Sequence, residues 1–489
     1  MSKLIKTRFA PSPTGFMHVG NFRTALYAYL FAKHNQGKFI LRIEDTDQNR
    51  EVADAEQAIF RVLKWAGLEH DEGPDIGGPC GPYRQSDRLE IYQKYSQKLI
   101  ETGQAYYCFC DQDRLEQLRK KQQTQGLPTK YDRHCLNLSN QEINQKIKSG
   151  QKYVIRQKIN SSGVTVFKDL VLGTIKIENS TLDDSVLIKS DGWPTYNFAN
   201  VIDDHLMKIT HITRGNEYIT STPKYIQLYQ AFGWPVPEHA HFPLILNQDK
   251  SKLSKRQGDV AMEDYINKGY LPETMINFIA LLGWNPGNDQ EIFSLEELIK
   301  IFDLSKVNKS GAVFDIEKLN WMNSHYIKQK NLDELTELCL PYLKKNYPSQ
   351  TASCQPKFVK LIVDLEQERI KTLSEIGDRV SYFFKTPIYS PEKLIWKKSN
   401  RQTTINRLQF VLEFIQLIPS QNWTRNTLEQ SLLEQIKQKN LDNGTTLWPL
   451  RVALSGQEKS PTPFEIAEIL GKKETIERIK QSIKKLQSK

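Results

Sequence analysis

The chain has 489 residues, a formal net charge of +10 and an isoelectric point of about 9.0, so its length predicts about three or four domains and its charge favours a polyanionic partner such as a nucleic acid. Its hydrophobic content of 39% and charged content of 25% are ordinary for a soluble protein. No run of about 18 apolar residues is present, which excludes a membrane span, and the first residues lack the apolar core of a signal peptide, so we expect a cytoplasmic protein.

The first predicted elements form a strand–turn–helix–strand unit. The stretch "LIKTRFA" has the β-branched and aromatic content of a strand, and the prolines and glycine of "PSPTG" end it. From Phe22 apolar residues recur at helical spacing, Gly37 ends the helix, and "KFILRI" reads as a second buried strand. Such units build parallel sheets.

His18 and Gly20 lie where the turn becomes the helix. In parallel sheets ligands bind at the carboxyl ends of the strands, beside helix N-termini whose free N–H groups favour anions. We therefore expect a phosphate near these two residues. A structural turn with no ligand is the alternative interpretation of so short a motif.

Further elements are predicted in chain order: helices over 54–68 and 88–103 around a Gly- and Pro-rich loop, an α+β insertion over 106–187, returning strand patterns over 185–215, a strand with a lysine-rich loop over 241–259, and mostly helical sequence from 262 onward. Strands are scarce after about residue 330. This pattern predicts an α/β Rossmann-type domain with a parallel sheet, interrupted by an α+β insertion and followed by an all-α C-terminal region.

The segment "KLSKR", which spans Lys252 to Arg256, is a second candidate for phosphate binding. Lysine ammonium groups suit phosphate charge that develops in a transition state. A solvated basic loop is the alternative, because the chain contains 67 lysines and arginines and such patterns arise by chance.

Six cysteines are too few for a disulfide framework in a chain of this length, and three of them, Cys108, Cys110 and Cys135, lie within 28 residues. In a cytoplasmic protein this clustering favours a metal site. Three buried cysteines without a metal are the alternative.

Taken together, the two phosphate candidates resemble the signature motifs of class I aminoacyl-tRNA synthetases. The stretches "RFAPSPTGFMHVGNFRTALYAYL", "RIEDTD", "GPYRQSDR", "SDGWPTYNFANVIDDHLM" and "PLRVALSG" are similar to those of bacterial-type glutamyl-tRNA synthetases, and the resemblance covers essentially the whole chain. Two departures are visible: the usual His-Ile-Gly-His reads His18-Val19-Gly20-Asn21, and the usual Lys-Met-Ser-Lys-Ser reads "KLSKR".

This resemblance implies that glutamate is activated with ATP and Mg²⁺ and then transferred to the terminal ribose of tRNA(Glu). It places His18 and Gly20 on the ATP, with Lys252 and Lys255 neutralising phosphate charge. It also implies a glutamate pocket in which Glu44 binds the α-ammonium group, Arg8 and Tyr196 recognise the side chain, and Arg214 is a second partner for a carboxylate. The full predicted set is Arg8, Ser12, Glu44, Tyr196, Asn200 and Arg214.

A structural zinc site also follows from the resemblance. One family pattern ends in Cys-x-His, but the histidine position here is Asn137. The sequence "YDRHC" instead resembles a Tyr-x-x-x-Cys ending found in glutamyl-queuosine enzymes, so Tyr131 is the expected fourth ligand beside Cys108, Cys110 and Cys135, with His134 as its rival.

The resemblance gives the predicted segments their roles: residues 1–105 and 188–260 form the catalytic domain, 106–187 bind the tRNA acceptor end, 261–330 contact the stem and 331–489 bind the anticodon. It implies a monomer. Rival hypotheses are another nucleotidyl-transfer enzyme of the same fold and an inactive RNA-binding module. A truncated glutamyl-queuosine enzyme is excluded, because such enzymes have no anticodon-binding part. The sequence does not decide whether tRNA(Gln) is also charged.

Overall fold

The computed structural model of the protein describes residues 4–47, 52–253, 260–397 and 399–488. Two compact units divide the chain: the first comprises residues 1–266 and 272–319, and the second comprises residues 267–271 and 320–489. The five segments predicted from the sequence remain a prediction.

The first unit opens with the predicted strand–helix–strand motif. Its elements are β1 (Lys6–Phe9), α1 (Val19–His34), β2 (Lys38–Leu41), α2 (Ala55–Trp65) and α3 (Leu89–Glu101). Strands β1 and β2 pair in parallel, with Arg8 opposite Ile40. Helix α1 is buried along most of its length, which explains why its apolar residues mark it so clearly in the sequence.

The insertion is built from two small antiparallel sheets and two exposed helices. Its elements are β3 (Ala105–Cys108), α4 (Gln112–Thr124), α5 (Asn140–Lys148), β4 (Val154–Gln157), β5 (Val164–Asp169), β6 (Gly173–Glu178) and β7 (Val186–Ile188). Strand β4 lies between β3 and β7, and β5 forms a hairpin with β6. A capping box of Ser139 and Glu142 fixes the start of α5.

After the insertion the first unit continues with α6 (Tyr196–Leu206), β8 (His211–Gly215), α7 (Thr222–Ala231), β9 (Glu238–Phe242) and β10 (Ile245–Leu246). Strands β8 and β9 are parallel, and β5 joins β9 in parallel, which gives the order β6-β5-β9-β8. The sequence predicted strands across this region, but α6 is a helix. Seven of its eleven residues are buried, and this buried set includes the polar Asn200, Asp203 and Asp204, so burial does not follow the division between apolar and polar residues from which a helix is predicted.

The rest of the chain is helical apart from one short strand. The elements that follow are α8 (Met262–Lys268), α9 (Pro272–Leu281), α10 (Leu295–Ile301), β11 (Ala312–Val313) and α11 (Ile316–Gln329), and β11 pairs in parallel with β10. The predicted helical character is confirmed, and β11 is too short to leave a strand pattern.

The second unit contains α12 (Leu332–Asn346), α13 (Pro348–Ser353), α14 (Pro356–Gln367), α15 (Glu375–Arg379), α16 (Ser381–Phe384), α17 (Arg401–Leu417), α18 (Arg425–Gln438), α19 (Asn443–Ser455) and α20 (Pro463–Gln487). Its core is a continuous cluster of buried apolar side chains from these helices. Gly456 ends α19 with φ 69°, and Gly471 interrupts α20 with φ 78°, conformations that favour glycine. No helix in the described ranges is long and apolar enough to cross a membrane.

Candidate active site and cysteine cluster

A cavity of about 430 Å³ lies at the carboxyl ends of β1, β8 and β9, beside the first turn of α1. Eight of the residues predicted from the sequence line it: Arg8, Ser12, His18, Gly20, Glu44, Tyr196, Arg214 and Lys252. Lys255 lies outside the described residues. The sheet therefore brings together residues that are up to about 240 positions apart in the chain, at the edge where parallel sheets bind ligands.

His18 precedes α1 and caps it with its own side chain. Its Nδ1 accepts a hydrogen bond from the Gly20 N–H at 2.9 Å. A neutral imidazole that accepts at Nδ1 carries its proton on Nε2, which makes Nε2 a donor. A Cβ at Gly20 would lie 3.3 Å from that Nδ1, so a side chain at position 20 crowds the ring.

The first turn of α1 does not offer the free N–H groups that the sequence analysis expected. The Val19 N–H donates to Val260 O at 2.9 Å, and the Gly20 N–H is used by His18. The attraction of this turn for an anion therefore comes from the helix dipole and the His18 side chain rather than from unpaired backbone amides.

The His18 turn is hydrogen-bonded to residues that follow the "KLSKR" segment in the chain. His18 and Ala261 form an antiparallel bridge, flanked by the bond from Val19 to Val260 and by a bond from the Met262 N–H to Met17 O at 2.8 Å. Residues 260–262, which follow the "KLSKR" segment, are thus attached to the His18 turn.

Arg8 and Glu44 are held by a buried network of charges. Arg8 Nε donates to Asp204 Oδ1 at 3.1 Å, and Arg42 bridges that same oxygen, at 2.7 Å, to Glu44 Oε1 at 3.0 Å. Burial raises the pKa of Asp204, but Arg8 and Arg42 outweigh burial and hold that pKa below its ordinary range. Burial raises the pKa of Glu44, and Arg42 opposes this only in part.

Arg214 is a buried cation without a hydrogen-bonding partner. Its side chain is 4% exposed, and none of its three guanidinium nitrogens makes a hydrogen bond with the part of the chain that is described. The rings of Tyr218 and Tyr225 lie 4.9 and 5.1 Å from its central carbon. Because an unpaired buried guanidinium is costly, its presence in the cavity wall indicates an anionic ligand, and its planar fork matches a carboxylate.

Asn200 is the one predicted pocket residue among those described that does not line the cavity. It is buried in α6, where its side-chain amide donates to Tyr196 O at 2.6 Å. Its contact is therefore with the backbone of Tyr196, which itself lines the cavity.

The residues that pair with the buried acids of α6, next to the pocket, are not predicted from the sequence. Arg88 donates to Asp203 Oδ1 at 2.7 Å, and Asp203 lies next to Asp204 in α6. The signal was the pair of acidic residues inside the apolar stretch "FANVIDDHL", because paired carboxylates in a buried segment require buried cations. Thr14, Thr24 and Glu217, which also line the cavity, gave no comparable signal.

The three clustered cysteines come together as predicted. The Sγ atoms of Cys108, Cys110 and Cys135 all lie within 4.8 Å of one another, with 3.6 Å between those of Cys110 and Cys135. Tyr131 Oη lies 3.3 and 3.4 Å from the Sγ atoms of Cys108 and Cys110. Zinc–sulfur bonds of about 2.3 Å at tetrahedral angles place sulfur ligands about 3.8 Å apart, so the spacing of this donor set is compatible with zinc.

Tyr131 is better placed than His134 to complete that set. Tyr131 is buried, and its Oη accepts a hydrogen bond from the Cys135 N–H at 3.0 Å, whereas His134 and Asn137 are exposed. Arg156 lies with its central carbon 4.1 Å from the Tyr131 ring. Among the residues described, the cysteines are the one group of three or more with the spacing that metal ligands need.

Comparison with known proteins agrees with this geometry. Residues 4–321 match the family described as tRNA synthetases class I (E and Q), catalytic domain. Residues 334–483 match an anticodon binding domain.

Similar chains match over their full length. Glutamate–tRNA ligases of Clostridium tetani and Clostridium botulinum are each 51% identical to this chain, over 99% and 100% of it and over 98% and 100% of their own lengths. A crystal structure of a glutamate tRNA ligase from Elizabethkingia meningosepticum, in complex with its amino acid, is 37% identical over 99% of both chains, with a TM-score of 0.88. Glutamate-tRNA synthetase from Elizabethkingia anophelis gives the same identity and TM-score.

Proposed function

Because the chain belongs to the class I tRNA synthetases of the glutamate and glutamine type, we propose that it ligates glutamate to tRNA(Glu). In the first step the glutamate α-carboxylate attacks the α-phosphate of ATP, which expels pyrophosphate and leaves glutamyl-adenylate. In the second step a hydroxyl of the terminal ribose of tRNA attacks the adenylate carbonyl and releases AMP. Neither step needs a covalent enzyme intermediate, so orientation and charge stabilisation supply the catalysis.

The unpartnered guanidinium of Arg214 is the observation that carries the choice of glutamate. Arg214 and Arg8 both line the cavity, and of the two only Arg8 donates a hydrogen bond to a carboxylate of the described chain, that of Asp204. A glutamate γ-carboxylate satisfies the free fork, whereas glutamine offers one acceptor and leaves the buried charge uncompensated. Such a site discriminates strongly between glutamate and glutamine, because the wrong substrate leaves a desolvated group without a hydrogen-bonding partner.

The remaining pocket residues take complementary roles. The carboxylate of Glu44 binds the α-ammonium group, Ser12 and Tyr196 define the shape of the site, and Asn200 holds the backbone of Tyr196. Arg42 orients the Glu44 carboxylate by donating a hydrogen bond to its Oε1.

On the ATP side, His18 donates from Nε2 to the nucleotide while Gly20 allows its close approach. Lys252 lines the cavity and, with Lys255, neutralises charge on the phosphates as pyrophosphate leaves. ATP enters as its Mg²⁺ complex, in which phosphate oxygens and waters supply most of the ligands of the metal.

Zinc has a structural role in this proposal. Cys108, Cys110, Cys135 and Tyr131 would hold it, and these four residues come from the start of the insertion and from the segment that follows α4. A closed set of four protein ligands leaves no position for a substrate. The insertion then binds the acceptor end of tRNA, and the helical second unit binds the anticodon, whose unstacked bases proteins read by stacking and edge hydrogen bonds. We place the enzyme in the cytoplasm as a monomer.

Exchange of labelled pyrophosphate into ATP tests the activity directly. We expect exchange that requires both glutamate and tRNA(Glu), none with glutamine, and charging of purified tRNA(Glu). Parallel charging of tRNA(Gln) shows whether that tRNA is also a substrate. Binding of tRNA with no glutamate-dependent exchange would instead favour the inactive RNA-binding module.

A further inference from the structure

A buried carboxylate–imidazole pair links the insertion to the catalytic sheet. Asp169 is the last residue of β5, and its Oδ2 lies 2.7 Å from His241 Nδ1 on β9, with both side chains fully buried. Asp169 also accepts hydrogen bonds from the N–H groups of Val171 and Leu172, at 3.0 and 2.9 Å. Burial alone would raise the pKa of Asp169, but these donors hold that pKa below its ordinary value, so the carboxylate is the acceptor and His241 Nδ1 the donor.

The second nitrogen of the same imidazole continues the contact toward the amino-acid pocket. Thr222 Oγ1 lies 3.2 Å from His241 Nε2 and 3.0 Å from Tyr218 O. With Nδ1–H donated to Asp169, the single hydroxyl proton of Thr222 goes to Tyr218 O when Nε2 also carries a proton and to Nε2 when it does not. Thr222 is fully buried at the start of α7. The imidazole therefore stands between a residue of the insertion and the backbone of Tyr218.

Tyr218 contacts two of the proposed glutamate-binding side chains. Its ring lies 4.9 Å from the Arg214 guanidinium and 5.7 Å from the ring of Tyr196, and all three residues line the cavity. Phe242, the residue after His241, also lines the cavity. Two routes thus lead from His241 to the pocket wall, one through Thr222 and one along β9.

We propose that Asp169, His241 and Thr222 are positioning residues for the amino-acid pocket, which hold Tyr218 against Arg214 from a point inside the insertion. The proposal rests on glutamate being the substrate of this pocket. None of the three lines the cavity, so they act only through Tyr218 and the end of β9. A pair that served only to stabilise the fold would affect every substrate alike, whereas a positioning role affects glutamate selectively.

The test compares Thr222→Val with Thr222→Ser in the full-length protein, measuring KM for glutamate, ATP and tRNA(Glu) in the charging reaction. Valine removes the hydroxyl at nearly constant volume, and serine keeps it. We expect Thr222→Val to raise the glutamate KM about fivefold, the effect of one lost hydrogen bond on an equilibrium constant, with the ATP and tRNA KM values within about twofold. Thr222→Ser should restore the glutamate KM.

Thr102→Val is the matched control, because the Thr102 hydroxyl donates to Lys98 O at 3.0 Å, the same type of bond at an exposed helix end away from the cavity. It should leave all three KM values unchanged. His241→Asn is the second variant, since an asparagine amide keeps a donor for Asp169 but cannot reach Thr222, and we expect the same selective rise.

The outcomes separate this inference from the proposed function. If the wild-type protein fails to charge tRNA(Glu) with glutamate, the proposed function is wrong. If the wild type is active and Thr222→Val leaves the glutamate KM unchanged, or raises the three KM values equally, the positioning role is overturned. Should Thr222→Val not fold, His241→Asn is judged by the same criterion.

Discussion

Replacing Arg214 by methionine should separate stability from substrate binding. Methionine has a similar length and no charge, so the variant removes the guanidinium while it still fills space between Tyr218 and Tyr225. In the ligand-free protein Arg214 makes no hydrogen bond with the described chain, so its removal loses no such bond and relieves the burial of a charge that is offset by Coulombic attraction to Asp204 and by the two ring contacts. We therefore expect the melting temperature without ligand to stay the same or to rise.

Binding should change in the opposite direction. Loss of one partner from a buried charge pair costs about 2–5 kcal/mol, which corresponds to a fall in kcat/KM for glutamate of about 30- to 4,000-fold. The KM for ATP should change little. The stabilisation that saturating glutamate gives the wild type in a thermal-shift assay should disappear, because that shift depends on binding to the folded state.

Arg84→Met provides the control. Arg84 is a partly exposed arginine of the same unit that pairs with Glu56 at 2.6 Å and does not line the cavity. Its replacement should leave the kinetics unchanged. If Arg214→Met lowers kcat/KM for glutamate less than tenfold, or lowers the melting temperature by several degrees, the assignment of Arg214 as the free carboxylate-binding cation is incorrect.

Two further predictions concern the ATP turn and the cysteine cluster. Gly20→Ala places a Cβ 3.3 Å from His18 Nδ1, so we expect steady-state kinetics to show an ATP KM raised about fivefold. Thermal melting should show a more stable protein, because alanine is favoured over glycine by about 1 kcal/mol within a helix. An unchanged ATP KM would contradict the role of the His18 ring. Elemental analysis of protein purified without chelator should find about one zinc per chain, lost in a Cys108→Ser/Cys110→Ser double variant and weakened in Tyr131→Phe, whereas zinc retained by the double variant would place it elsewhere.

The sequence predicts the parts of the site that are formed by residues close together in the chain. Each of the first strand, turn and helix is determined by a short run of consecutive residues, so the pattern of residues alone places His18 and Gly20 at the start of α1. The cysteine cluster follows in the same way from close spacing. The individual pocket residues come from the family resemblance, because no periodicity distinguishes a binding arginine from a surface arginine.

The rest depends on contacts between distant parts of the chain. The ion pairs that join Asp204 to Arg8 and to Arg42 span 196 and 162 positions, and nothing in one sequence indicates which buried acid meets which buried base. The amide of Val19, expected to be free at the start of α1, is used by Val260, a residue far along the chain. The segment of α6 resembles a strand in the sequence because it buries polar as well as apolar side chains, among them Asn200, Asp203 and Asp204, so its apolar residues alone do not outline its buried face.

The pairing of β5 with β9 bears on any attempt to treat the insertion as a removable module. In the strand order β6-β5-β9-β8, β5 of the insertion pairs with β9 at one position, Asp169 opposite His239, and the last four residues of β9 are buried. A protein with residues 106–187 excised would present β9 as an uncovered edge strand, with unpaired backbone groups beside apolar side chains. Such edges recruit other chains, so a deletion variant is expected to aggregate unless charged residues or a proline are introduced along β9 to protect it.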